Sequence, residues 1–190
     1  MVEIYKNAWD IVKKDYLAWL ILTGVFMLVT GMTMGLGGVL WPNVMRETRD
    51  AVREGRAPTL NTLFNLDRIV NDAINFGVYY VAVMATSMVG LTFIATMGLF
   101  WQTLLAAEDH YAPIDNAKLS LKHVAGNLVD HLGFQAIVFV VVMATACLCF
   151  LPLPFLLPIF GVAQWLWYER EIEHFDALAE QSGILRQVTS

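Results

Sequence analysis

The sequence predicts an all-α integral membrane protein, one membrane domain over residues 1–190. It comprises three helical hairpins, about six short transmembrane helices, joined by cytoplasmic amphipathic connector helices. Composition is the first observation behind this. The chain has 190 residues, 57% hydrophobic and 15% charged, where a soluble domain carries about 25% charged residues. The second is the placement of charge. All 29 Lys, Arg, Asp and Glu fall in four segments, 1–15, 46–72, 108–130 and 169–190. Three charge-free stretches lie between them, 16–45, 73–107 and 131–168. The third is length. Each stretch exceeds the roughly 20 apolar residues that span a bilayer, and a charge buried in hydrocarbon costs several kcal/mol.

The stretch 16–45 has a glycine-rich centre, GMTMGLGG, from Gly31 to Gly38. A turn there makes it the first hairpin, and one tilted span is the rival. The stretch 73–107 would reach about 52 Å as one helix against a hydrocarbon core of about 30 Å, so it reads as a second hairpin turning near 87–90. The stretch 131–168 is longer and carries Pro152, Pro154 and Pro158. Proline lacks a backbone donor and clashes with the preceding turn, which places the third turn near 150–155. If each stretch crossed once, Lys and Arg would divide seven against five. Three hairpins put all 12 on one side, and the positive-inside rule favours that threading, with both termini cytoplasmic.

The charged segments read as interfacial helices. Tyr5, Trp9, Val12 and Tyr16 share one helical face, and Ala117, Leu121, Val124 and Leu128 repeat that spacing after a cap at Asp115. Thr59 or Asn61 is expected to cap a helix leading into the second hairpin, and Gly55 to end the one before it. The six Trp lie mostly toward the ends of the apolar stretches, where indole rings anchor at the interface. VAVMAT at 81–86 matches VVVMAT at 140–145, an offset of 59 residues. FWQTLLAAEDH and VAQWLWYEREIEH are parallel at a similar offset, which suggests one hairpin used twice.

The connector REGRAPTLNTLFNLD, the segment APIDNAKLSLKHVAGN and the proline-broken last hairpin resemble a group of bacterial polytopic membrane proteins. These are similar to the membrane domain attached to some glycerophosphodiester phosphodiesterases. The resemblance implies a bacterial inner-membrane location and carries no catalytic residues; the phosphodiesterase catalytic domain has no counterpart in 190 residues.

Arg46, Arg49, Arg53 and Arg56 concentrate four of the 12 basic residues in one connector. They are expected to set orientation and meet anionic headgroups. Gln102 and Gln164 occupy like positions in the two repeats and form a candidate polar intramembrane site; the blander reading is interhelical hydrogen bonding. EDH at 108–110 and EREIEH at 169–174 read as solvated helix ends more readily than as metal ligands. The sulfur-bearing residues near the turns, such as Met32, Met34, Cys147 and Cys149, read as apolar packing. No metal or other cofactor is assigned. A net charge of −5 with no long basic stripe gives no footprint for nucleic acid. With no acid or base central to an apolar stretch and no nucleophile or phosphate-loop motif, the expectation is a non-catalytic scaffold or accessory subunit. Its partners would be membrane lipids and another membrane protein or a second copy of itself. The alternative is a carrier or regulator of a lipid or other hydrophobic ligand held between the hairpins.

Overall fold

The first apolar stretch turns where its glycines cluster. Helix α1 (Val2–Val12) continues through a 3-10 turn at Lys13–Asp15 into α2 (Tyr16–Met32). The chain reverses at Met34 and Gly35, whose φ angles are 52° and +96°. Gly35 N–H donates to Thr30 O at 2.7 Å, and Gly37 N–H donates to Thr33 Oγ1 at 2.6 Å. Gly37 is required for contact. A Cβ on it would lie 2.6 Å from the Thr30 Cα.

The second limb departs from the expected hairpin. A short 3-10 segment, Leu36–Leu40, leads into α3 (Trp41–Glu54). The boundary expected at Met45 does not exist, because Trp41–Met45 and the arginine segment are one helix. Pro42 sits in its first turn, where no N–H is needed. Gly55 ends it at φ 65° in the left-handed region, as expected.

The computed structural model describes residues 2–87, 96, 98–108, 110–147 and 153–186. Among them every regular element is helical and none is a strand. The later helices are α4 (Ile69–Ser87), α5 (Gln102–Glu108), α6 (Pro113–Gly126), α7 (Leu128–Cys147) and α8 (Leu153–Gln181). Two helical runs, Glu3–Met32 and Ile69–Thr86, are long and apolar enough to cross a membrane. Six short spans are not what the described residues show, since the limb after the first turn is spent on the 3-10 segment and α3. Most of the turns expected near 87–90 and 150–155 lies outside the described residues.

The connector helices are buried more deeply than interfacial helices would be. On α3, Asn43 through Thr48 are all buried, and α3 packs on α5 and α8. On α1 the inner face is Ile4, Ala8 and Val12, packed along α8, while Trp9 is 46% exposed. The expected stripe is thus rotated, with aromatic Trp9 outward and small Ala8 at the close helix–helix contact. On α6, Ala117 and Val124 are buried, whereas Leu121, and Leu128 at the start of α7, are exposed. Asp115 pairs with Lys118 at 2.8 Å, and α6 begins at Pro113 with no side-chain cap. Thr59 and Asn61 cap no α-helix, because Thr59 N–H instead donates to buried Glu47 at 2.7 Å. Trp19, Trp101, Trp165 and Trp167 lie within the core, where their area serves packing rather than interfacial anchoring.

Pro154 and Pro158 lie within α8 instead of ending a helix. Pro154 occupies the first turn, whose N–H groups have no intrahelical acceptor, so ring closure costs little there. At 29 residues, α8 is about 43 Å long. The offset of 59 residues reaches the helix starts: α4 begins at Ile69 and α7 at Leu128.

Replacing Gly37 with Ala should cost about 1–3 kcal/mol, because the new methyl meets helix backbone. Gly24→Ala, where a Cβ meets nothing within 4 Å, is the control and should be neutral or gain up to about 1 kcal/mol. Thermal unfolding of both variants in one detergent measures the difference.

Candidate functional site

Arg46, Arg49 and Arg53 lie along one stripe of α3, at intervals of three and four residues, passing from buried Arg46 to exposed Arg53. Arg46 makes a two-pronged pair with Asp72 of α4, Nη1 to Oδ2 at 2.7 Å and Nη2 to Oδ1 at 2.9 Å. Its Nη2 also donates to Ala106 O at 3.0 Å, and its Nη1 to Asn43 Oδ1. Arg46 is 7% exposed and Asp72 1%, so neither charge faces bulk solvent. Arg49 Nη1 donates to Ala107 O at 2.9 Å. Two cations thus sit at the C-terminal carbonyls of α5, where the helix dipole favours positive charge. Arg53 reaches Glu169 at 2.9 Å and Glu108 at 3.2 Å, and lies 5.2 Å over the Trp165 ring. Burial opposes its charge, but the two carboxylates outweigh burial and raise its pKa. Arg56 bonds to Glu47 and Glu54. The four residues expected at lipid headgroups each engage acceptors of their own chain.

One turn along α4 from Asp72 lies an amide cluster. Gln102 Nε2 donates to Asn75 O at 2.9 Å, and Asn116 Nδ2 to Asn75 Oδ1 at 3.3 Å. All three side chains are buried. Gln102 Oε1 and Asn116 Oδ1 have no hydrogen-bond partner among the described residues.

Beyond Asn75 opens a cavity of about 430 Å³ between α2, α3, α4, α5, α7, α8 and the segment before α5. Phe26, Trp41, Phe76, Tyr79, Phe100 and Phe134 supply aromatic walls; Asn75, Gln135 and Gln164 supply carboxamides. Gln164 Nε2 donates to Phe100 O at 3.3 Å. The two glutamines singled out in the sequence therefore fall on different layers. Gln164 lines the cavity, and Gln102 braces Asn75 from behind it. The three cavity residues of α4 are Asn75, Phe76 and Tyr79, and those of α7 are Phe134, Gln135 and Val138. Each pair is 59 residues apart, so the offset seen in the sequence relates the two facing walls. No Asp, Glu, Lys, Arg or His is among the described lining residues.

A histidine cluster lies on the charged side of this cavity. His131 of α7 accepts from Trp101 Nε1, and its Nδ1 lies 2.8 Å from Asn127 O. Those partners fix the Nδ1–H tautomer. His123 of α6 stacks on Phe175 at 4.3 Å, with His131 at 5.4 Å and His174 at 5.1 Å. His123 is 1% exposed, and its Nδ1 has no partner among the described residues. Burial, then the neighbouring His131 and His174, pushes its pKa down to about 4. The sequence points to His131 only as an edge histidine and gives no sign of His123, because a histidine beside Lys122 on a polar-looking helix reads as solvated. His110 and Glu108 do not form the expected acidic group alone: His110 lies against Arg186 at 2.7 Å, and Glu108 is taken by Arg53.

No protein-family model, curated protein or solved structure matches this chain. The resemblance to the membrane domain attached to glycerophosphodiester phosphodiesterases therefore rests on its short motifs.

This geometry generates two expected outcomes. Asp72→Asn removes one charge of a buried pair and should destabilise by about 3–5 kcal/mol, while Arg46→Met with Asp72→Leu should recover most of the loss. Thermal melts of the single and double variants decide this. Acidification is the second. His123 is neutral in the fold, whereas the unfolded chain binds a proton at the ordinary 6.5. The unfolded state therefore holds more protons between about 6.5 and 4, so stability is full above that window and falls as pH drops through it. The melting temperature of His123→Phe, which keeps the stack on Phe175, should decline less across that window than the parent's. Parallel declines would assign the acid sensitivity to another group.

Proposed function

We propose that the protein is a multi-pass membrane protein that binds a hydrophobic ligand, with its charged end and both termini on the cytoplasmic side. The observation that carries this is the cavity, about 430 Å³ and lined by residues from six helices and the segment before α5. Its size lies within the range of small-molecule sites, and its apolar walls with a few carboxamides match their make-up. The exposed apolar side chains support the membrane setting. Leu17, Ile21 and Leu28 on α2, Val70 and Val81 on α4, and Val129 and Val140 on α7 all face outward. Water would leave this area unfavourably hydrated, whereas acyl chains cover it. The same outward faces favour the second reading, a scaffold or accessory subunit whose helices pack against another membrane protein or a second copy.

The ligand reading is tested by purification into lipid nanodiscs and mass spectrometry of what is retained. A small hydrophobic molecule should copurify with the parent chain. It should be lost from Val138→Trp, which fills the cavity, while the melting temperature stays within a few degrees. Retention of a protein partner with no small molecule, in both forms, would favour the scaffold reading instead.

Topology has its own test. Glu54, Lys118 and Glu180 are exposed and come from three of the four charged segments. Single cysteines at these positions should all label from the cytoplasmic face of inverted vesicles. Labelling of Glu54→Cys and Lys118→Cys from opposite faces would overturn the three-hairpin threading.

A further inference from the structure

The chemistry of the cavity walls goes further and names a class of ligand; this rests on the ligand-binding reading above. Three features bear on it. The first is charge. No ionised side chain is among the described lining residues. A carboxylate or phosphate placed there would lose its hydration with no counter-charge, at a cost no hydrogen bond to an amide offsets. The occupant is therefore neutral, which excludes a fatty-acid anion or a phospholipid headgroup inside the cavity.

The second feature is shape. Aromatic rings wall the cavity on several sides. Phe26 and Trp41 lie 5.1 Å apart at 50°, and Phe100 and Phe134 lie 5.0 Å apart at 64°. Faces and edges of aromatic rings recognise a flat ring by offset stacking and edge contact, which a saturated chain does not exploit.

The third is hydrogen bonding. Gln135 and Thr103 line the cavity and make no hydrogen bond to the described residues. Gln164 spends one amide N–H on Phe100 O and keeps the other. These carboxamide and hydroxyl donors meet a ligand that presents acceptor oxygens. Donors left unmatched in an apolar site cost free energy, so an occupant that supplies acceptors is selected over one that does not.

The geometry points to a neutral planar ring bearing carbonyl or hydroxyl oxygens on an apolar tail, the chemistry of an isoprenoid quinone, bound with Gln135 and Thr103 donating to its oxygens. The ring stacks among the aromatic walls and the tail extends along apolar surface.

The test is a thermal-shift titration of the full chain in phosphatidylcholine nanodiscs. The probes are decylubiquinone, lauric acid and 1,2-dioctanoylglycerol. A ligand that binds only the folded state raises the melting temperature with its concentration. Decylubiquinone should give a saturable rise, and the other two should give none. Gln135→Leu and Thr103→Val conserve volume closely enough to fold, and each should raise the concentration needed for half the effect about tenfold, the loss of one good hydrogen bond. A rise with dioctanoylglycerol and none with decylubiquinone would overturn the ring assignment and leave the hydrophobic-ligand reading standing. No rise with any probe, and no molecule copurifying, would overturn both. Unchanged decylubiquinone affinity in Gln135→Leu and Thr103→Val would overturn donation from these two side chains to the ring oxygens.

Discussion

The Arg46–Asp72 pair is the interaction on which the rest of the arrangement depends. It joins α3 to α4 in two hydrogen bonds and reaches the last turn of α5 through Ala106 O. Two of those helices, α4 and α5, carry Asn75 and Gln102 of the amide cluster. Coulomb attraction alone does not justify so deep a pair, because desolvating both ions consumes most of the gain. Geometry supplies the rest. The guanidinium fork matches the carboxylate, and its remaining donors find Asn43 and a helix-end carbonyl that would otherwise be orphaned. Asn43 in turn donates to Asn65 O at 2.8 Å, so the irregular connector after α3 is held by the same group of residues. Lysine at 46 would keep the charge and lose the fork, and with it the link between three helices.

The dense arginine segment has a similar explanation for its other members. Residues 46, 49 and 53 recur on one face of α3, and that face meets α5 and α8. Short α5 has few hydrogen bonds of its own, and nucleation makes a seven-residue helix unfavourable in isolation. Arg46 and Arg49 at its C-terminal carbonyls and Arg53 at Glu108 supply what its length cannot. A cluster that reads as a topogenic signal is thus a set of struts within the chain. The two roles are compatible, since the positive-inside bias counts residues and not their partners.

Much of the fold is legible because apolar and charged segments alternate so sharply. Helices α2, α4 and α7 start within a few residues of the expected positions, and the glycine turn and the Gly55 cap depend on local backbone requirements that glycine alone advertises. The centre of the site is not legible. Asp72 sits at the edge of a charged segment and reads as solvated; only the fold brings it to a partner 26 residues away. The face of α1 is misjudged because aromatic residues suggest burial, whereas close packing on α8 favours Ala8. Pro154 reads as a breaker because sequence does not say which turn of a helix a proline will occupy. Gln102 and Gln164 stand out in the sequence as polar groups in apolar stretches. That one braces the wall and the other forms it depends on side-chain contacts, which spacing does not reveal.

A gradient along α4 ties these parts together. Asp72, Asn75 and Tyr79 succeed one another at intervals of three and four residues on one face, passing from ion pair to amide to aromatic ring. On α7 buried His131 is followed by Phe134 and Val138, while Asp130 is exposed. Polarity thus falls stepwise from the charged end of the bundle into the cavity. Each step lowers the desolvation cost of the next layer, because a buried charge is screened by amides and the amides by rings, not by hydrocarbon directly. The orphaned Gln102 Oε1 and Asn116 Oδ1 lie in the middle layer, where their cost is smaller than it would be among the aromatic walls. Two helices offset by 59 residues each contribute three lining residues to the cavity, yet their polar residues differ: Asn75 corresponds to Phe134 in that register, and Phe76 to Gln135. Exchanging amide and ring between these positions gives each helix one carboxamide with an aromatic beside it. That arrangement lets a single small cavity present stacking faces and donors from both walls.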